Sequence, residues 1–409
     1  MSQRPPEPSP FVIALHQLSP LKQAQVLNAV GLTGLEARPA LARFLIFHLS
    51  DRGSEALQAQ LEPGMILSRC ATAPIGYAPP LMLALEQIPE QVPGQIPGQI
   101  PGPLRPWLAQ LSRELPLLAE LIGHRVEETQ PVSTWQLPQQ RLKLERPCVM
   151  AILNVTPDSF YDGGRYHGLE QALERAAQAE AEGADILDIG GESSRPGAAT
   201  VSEAEELARV IPLIEALASR THLPISVDTT KAEVARRAVE AGAQIINDIS
   251  GFVADPKMVD VLADSGAAGV VMHMRGTPQT MQQHTHYLEL MSELVGALAS
   301  RVAWLTARGV ARQKLAIDPG IGFAKEARDN LVILNHASML HCLGLPVLVG
   351  ASRKSFLSKI FGLAPEERLE GSLAAAMVAA ARGVQVLRVH DVQATRRTLN
   401  VFDGILQTP

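Results

Sequence analysis

A chain of 409 residues, 46% hydrophobic and 19% charged, can bury a sizeable core and exceeds the usual length of one domain, which excludes overall disorder and admits two or three domains. A net charge of -6 and a pI near 6.0 exclude a broad nucleic-acid surface, though a local phosphate pocket remains compatible with them. Cys70, Cys148 and Cys342 are few, odd in number and far apart, which speaks against a disulfide framework or a zinc cluster and fits a reduced, cytoplasmic compartment.

Residues 1–10 are proline-rich and offer nothing to bury, so they read as a mobile tail. No basic region leads into a long apolar segment, and FVIAL at Phe11 is too short to span a bilayer, so no membrane partner is expected. FVIALHQL, LKQAQVLNAVG, ARFLIFHL, GSEALQAQL and GMILSR then read as strand, helix, strand, helix, strand, a small α/β module over residues 11–86. The PGQI repeat within residues 87–105 points to an irregular linker. Residues 106–146 read as a helical connector, periodic from Trp107 and broken or kinked at Pro116. This extension carries no chemical motif, and a role in packing or dimerisation is expected of it.

From residue 147 to 409 the pattern changes. Short apolar runs end in polar residues: VMAIL into Asn154, ADILDIGG into Glu192, PISVD at Asp228, QIIND at Asn247 and Asp248. The series continues with AAGVVMH at His273, KLAID at Asp318, PVLVGASRK at Lys354 and VQVLRVHD at Arg388 and His390. Between them lie stretches rich in Ala, Leu and Glu at helical spacing, such as those beginning at Leu169, Glu203 and Lys231. Eight strand-helix units over roughly 260 residues predict a parallel (β/α)8 TIM barrel, whose strand ends converge on one mouth.

Physical chemistry narrows what that mouth can bind. The loop GGESSRPGA, from Gly190 to Ala198, combines small residues with two hydroxyls and Arg195, a set that can meet an anion or simply form a tight turn. In this fold the last strand lies beside the first, so Arg388 and His390 would face Asn154 and favour a phosphorylated or pyrophosphorylated ligand. Asp228, Asn247 and Asp318 supply acceptors for a flat heterocycle with adjacent N–H donors, and Lys354 supplies a donor for a ring carbonyl or nitrogen.

These residues resemble the dihydropteroate synthase family of folate biosynthesis. The likeness runs through NVTPDSF at Asn154, GGESSRPGA, SVDT at Ser226, INDI at Ile246, MHMRGTPQTMQ at Met272, DPGIGF at Asp318, SRKSF at Ser352 and RVHD at Arg388. It implies condensation of 6-hydroxymethyl-7,8-dihydropterin diphosphate with 4-aminobenzoate, giving 7,8-dihydropteroate and pyrophosphate, in an enzyme that sulfonamides target. Asp228, Asn247, Asp318 and Lys354 would hold the pterin, and Arg195, Arg388 and His390 the diphosphate. Asn154 would ligate Mg²⁺. Ser194, Pro196, Phe323 and Ser355, with Lys354, would shape the aminobenzoate pocket. Asp228, Lys354 and Arg388 are the expected catalytic residues, and a homodimer is expected from the resemblance alone.

The implied chemistry suits these side chains. An electron-rich pterin lets C–O cleavage run ahead of attack, so metal and guanidinium stabilise the departing oxygen while Asp228 stabilises the cation. The arylamine is neutral at pH 7, so no strong base or covalent nucleophile is required. Two loops, residues 157–168 and 193–197, are expected to close over the diphosphate, with ordered binding as the result.

Ser194 stands where the family pattern leads one to expect Thr, which bears on the aminobenzoate or sulfonamide fit. His273 is read as structural support, His284 and His286 as loop residues, and Met272, Met274 and Met281 as core or pocket filler. Two competing readings are a pterin-binding methyltransferase of similar architecture, which would not need the diphosphate cluster, and a silent pterin-binding scaffold.

Overall fold

The computed structural model describes residues 131–155, 165–193, 200–287 and 290–406, together with the backbone of four strands nearer the N-terminus. The chain divides into two compact units, Met1–Gln130 with Tyr287–Ala303, and Pro131–His286 with Trp304–Pro409.

In the first unit, β1 (Phe11–Ala14), β2 (Ala42–Phe47), β3 (Met65–Arg69) and β4 (Leu81–Leu85) form an antiparallel sheet in the order β1-β2-β4-β3. Phe11 pairs with Phe47, and Met65 with Leu85. The three strands expected from the sequence are present. The fourth, LMLAL, was not foreseen, because Leu, Met and Ala favour helix and only sheet pairing makes this segment extended. The expected tail, intervening helices and linker lie outside the described residues.

The second unit begins with a hairpin, β5 (Thr134–Gln136) paired with β6 (Arg141–Lys143), so this part of the expected helical connector is instead a two-stranded turn. The reason is tertiary. Trp135 is fully buried against Met150, Ile186, Ile245 and Val386, and its Nε1 donates to the Lys314 carbonyl at 2.9 Å. Burying an indole removes roughly 150–250 Å² from water, on the order of 4–6 kcal/mol. The hairpin thereby floors the barrel.

Eight parallel strands follow: β7 (Cys148–Asn154), β8 (Ile186–Gly190), β9 (Ile225–Asp228), β10 (Ile245–Asp248), β11 (Ala268–Met272), β12 (Leu315–Asp318), β13 (Leu348–Val349) and β14 (Val386–Val389). Their order is β12-β11-β10-β9-β8-β7-β14-β13, and the ends join where Ile317 N–H donates to the Pro346 carbonyl at 2.8 Å. The predicted (β/α)8 barrel is therefore present and nearly closed, its ends joined by this single bridge. The described helices are α1 (Arg165–Ala181), α2 (Glu203–Ala218), α3 (Ala232–Ala241), α4 (Met258–Ser265), α5 (Leu290–Ala307), most of which falls in the first unit, α6 (Ala327–Asn335), α7 (Phe356–Phe361), α8 (Leu369–Ala381) and α9 (Val392–Leu406). Ser202 caps α2 by accepting the Glu205 N–H, and Glu203, Glu205 and Glu206 complement its dipole. Among the described residues no helix is long and apolar enough to cross a membrane.

Strand alternation turns this architecture into a site. Ile186, Ile245 and Val386 occupy the barrel interior, so the residues two positions on, Asp188, Asn247 and Arg388, face the same way and sit nearer the carboxyl ends.

Candidate active site

At the centre of the mouth, Arg388 from β14 bridges two carboxylates. Its Nε donates to Asp188 Oδ2 and its Nη2 to Asp228 Oδ2, both at 2.6 Å. Pairing of β14 with β7, β7 with β8 and β8 with β9 brings these three strand ends around the same side of the barrel. Asp188 is completely buried and Asp228 nearly so. Burial lifts the Asp228 carboxyl above its ordinary value, against the pull of Arg388 and with Asp188 adding to the rise. Burial would lower the Arg388 guanidinium, but Asp188 and Asp228 outweigh it and hold the charge firmly.

Asn247 adds an amide beside this pair, its Nδ2 lying 3.5 Å from Asp188 Oδ2. Asn154 also borders it: a Cβ placed on Gly190 would lie 3.6 Å from both Asn154 Oδ1 and the Asp228 Cβ. Gly190 thus keeps the floor between the first and third strand ends open.

On the other side, Asp318 ends β12 and accepts the Gly320 N–H at 2.7 Å. The tight turn after it requires glycine, since Gly320 has φ +70° and a Cβ there would lie 2.1 Å from the His273 carbonyl oxygen. Lys354 donates to the Ile321 carbonyl, and its Nζ stands 4.4 Å from the centre of the Phe323 ring. Burial pushes Lys354 down to about 8, with Asp318 opposing, while burial raises Asp318. Phe323 packs with Met272, Met281 and Ala324, with Met274 against them, as expected of these methionines.

Around the mouth, the buried charged residues Asp188 and Lys325 were missed from the sequence. Asp188 lies inside the apolar run ADILDIGG, where the polar end seemed to be Glu192; that carboxylate instead meets Lys231 and the Val201 N–H. A lone acid two residues before the strand-end glycine was the available signal. Lys325, in GFAKE, donates to the Phe323 carbonyl at 2.9 Å and meets His273 Nδ1 at 3.1 Å. Burial lowers Lys325 to about 7, and its two contacts tie His273 to the turn that carries Phe323.

His390 stands at the end of β14 beside Ser352, and Ser355 is exposed at the start of α7. The structure thus gathers Asp228, Asn154, Asn247 and Arg388 on one side of the mouth and Asp318, Lys354 and Phe323 on the other. Ser194, Arg195 and Pro196 lie outside the described residues, as does most of the two loops expected to close, residues 165–168 being the start of α1. Among the described residues no three His, Cys, Asp or Glu side chains cluster as a metal site.

Chemically, the mouth offers acceptors and donors for a polar ring, a fixed guanidinium for an anion, and an aromatic face beside a lysine. A model of the family described as pterin binding enzyme matches residues 150–390. The dihydropteroate synthase of Synechocystis is 47% identical over 262 residues, which cover 64% of this chain and 91% of that one. A Xanthomonas albilineans dihydropteroate synthase solved with 4-aminobenzoic acid superposes with a TM-score of 0.64 at 45% identity, covering 68% of this chain and 99% of that chain. The structure from the same organism in complex with 7,8-dihydropteroate superposes with a TM-score of 0.61 at 42% identity, covering 68% and 100%.

Proposed function

The chain belongs to the dihydropteroate synthases of the pterin-binding enzyme family, and from that membership we propose how its barrel mouth joins 6-hydroxymethyl-7,8-dihydropterin diphosphate to 4-aminobenzoate. The observation that carries the proposal is the Asp188–Arg388–Asp228 bridge, which sets a permanent cation beside a carboxylate able to accept ring N–H groups. Asp228 and Asn247 take one edge of the pterin, and Asp318 with Lys354 takes the other. His390 and the Arg388 donors not spent on carboxylates meet the diphosphate, together with Arg195. Phe323, Lys354, Ser355, Ser194 and Pro196 form the aminobenzoate pocket.

The bond between the pterin methylene carbon and the diphosphate oxygen breaks, and its electron pair leaves with pyrophosphate. The arylamine lone pair then forms the new C–N bond, and the amine proton passes to pyrophosphate or water. Asp228 as an anion steadies the positive charge on the pterin, and Arg388 the negative charge on the leaving group. Asn154 offers a neutral oxygen at the strand end beside Asp228, which suits a hard cation that keeps waters and phosphate oxygens as its other ligands. Mg²⁺ held there would supply charge neutralisation on the departing diphosphate.

A cytoplasmic location follows from the family and the thiol pattern. A second copy of the chain is the proposed protein partner, supported by exposed Val401 and Ile405 one turn apart on α9; sedimentation at the single-chain mass would count against it. The central reading is tested by pyrophosphate release from purified protein. Release is expected only when both substrates are present, with dihydropteroate formed in equal amount. Release that ignores 4-aminobenzoate would overturn it.

A further inference from the structure

The end of the last strand holds a hydroxyl that controls one imidazole. Leu348 pairs with Val386 and Val349 with Leu387, so continuing the register sets Ser352 opposite His390. Ser352 is buried, and its Oγ accepts the His390 backbone N–H at 3.2 Å. The same Oγ lies 3.1 Å from His390 Nδ1. These are the contacts the hydroxyl makes among the described residues, so the ring nitrogen is the acceptor left for its proton. A hydroxyl that donates to Nδ1 requires that nitrogen to be unprotonated. The neutral ring then carries its hydrogen on Nε2.

Other contacts hold the pair still. Arg175 Nη2 donates to the His390 carbonyl at 3.3 Å, so the residue is gripped through its N–H, its carbonyl and its ring. Arg353 forms a two-point ion pair with Asp391, at 2.8 and 2.7 Å, tying the residue after Ser352 to the residue after His390. Arg353 also has φ 54° and donates its N–H to Ser372 Oγ at 2.8 Å, which fixes the turn from α8 as well.

We propose that Ser352 is a positioning residue that holds neutral His390 as its Nε2–H tautomer, so that the imidazole meets the leaving diphosphate as a hydrogen-bond donor. With the opposite tautomer the nitrogen facing an anionic oxygen would present a lone pair and repel it. The tautomer assignment is argued from the Ser352 contact, whereas its use depends on the proposal that His390 lies against the diphosphate.

Selective ¹⁵N labelling of the 11 histidines in full-length protein reads the tautomer directly, with His390 assigned by loss of its signals in His390→Gln. Wild type should show Nε2 protonated and Nδ1 as a hydrogen-bonded acceptor at pH 8. Ser352→Ala should move the Nδ1 resonance, admit a share of the Nδ1–H form, and weaken pyrophosphate binding about 3- to 10-fold. Ser352→Thr keeps the hydroxyl and should restore both readouts. A proton on Nδ1 in wild type, or ring resonances unchanged by Ser352→Ala, would overturn the assignment. Should Ser352→Ala fail to fold, the wild-type spectrum and Ser352→Thr decide the matter. Titration with pyrophosphate separates the two claims: an unmoved Nε2 signal would remove His390 from the diphosphate site, while the tautomer reading would stand on the free-enzyme spectrum.

Discussion

Replacing Arg388 with alanine isolates the charge bridge on which the site depends. The variant removes two charge-assisted bonds and strands Asp188, which has no exposure, and Asp228, whose side chain is 14% exposed. Breaking a buried pair by deleting one partner costs about 3–5 kcal/mol. The two losses do not simply add, because Asp228 can gain water or a proton. The pH dependence identifies the cause. Burial already raises the folded-state Asp228 carboxyl above its unfolded value, and losing the guanidinium raises it further, so the folded variant is favoured at low pH and loses that benefit as pH rises through the folded-state value. Urea denaturation of wild type and Arg388→Ala at pH 5.5 and pH 8 should therefore show about 3–5 kcal/mol at pH 8 and a smaller gap at pH 5.5. A gap under 1 kcal/mol at pH 8, or one equal at the two pH values, would refute stranded charge as the cause.

The same groups set the pH profile. In the proposed pterin contact Asp228 must be ionised to accept ring N–H groups, and its raised value should make kcat/KM fall as pH drops well before the ordinary carboxylate range near 3.8 is reached. Lys354 loses its charge above about 8, so activity should also fall on the alkaline side, and Asp228→Asn should abolish the acidic limb in whatever activity remains. A flat profile from pH 5 to 9 would contradict both assignments. Gly320→Ala should cost about 2–5 kcal/mol and raise the pterin KM, because the left-handed backbone and the clash with the His273 carbonyl both oppose it. Unchanged melting and kinetics would show that the turn is not held where the structure has it.

The barrel was legible because its strands are apolar runs that end abruptly in chemistry-bearing residues, and because parallel strands need intervening helices. Asp228, Asn247, Asp318, Lys354 and Arg388 declared themselves as polar exceptions at those ends. Asp188 did not, since it lies one layer deeper and its charge makes sense only once Arg388 arrives from a strand 200 residues away. Lys325 was hidden for the same reason, its partners being a carbonyl two residues back and a histidine 52 residues away. The floor hairpin around Trp135 also depends on distant packing rather than local propensity, and LMLAL on sheet pairing against helix-favouring composition. Local sequence reveals alternation and motif; it does not reveal which buried charges will neutralise one another.

Residues from separate strand ends are proposed to surround one pterin, and a crystal structure of the full-length protein with 7,8-dihydropteroate would show whether they do. The pterin ring is predicted to lie within hydrogen-bonding distance of Asp228, Asn247, Asp318 and Lys354 at once, with its aminobenzoate arm beside Phe323. A ligand bound elsewhere, or one touching only one side of the mouth, would contradict the proposed pterin site.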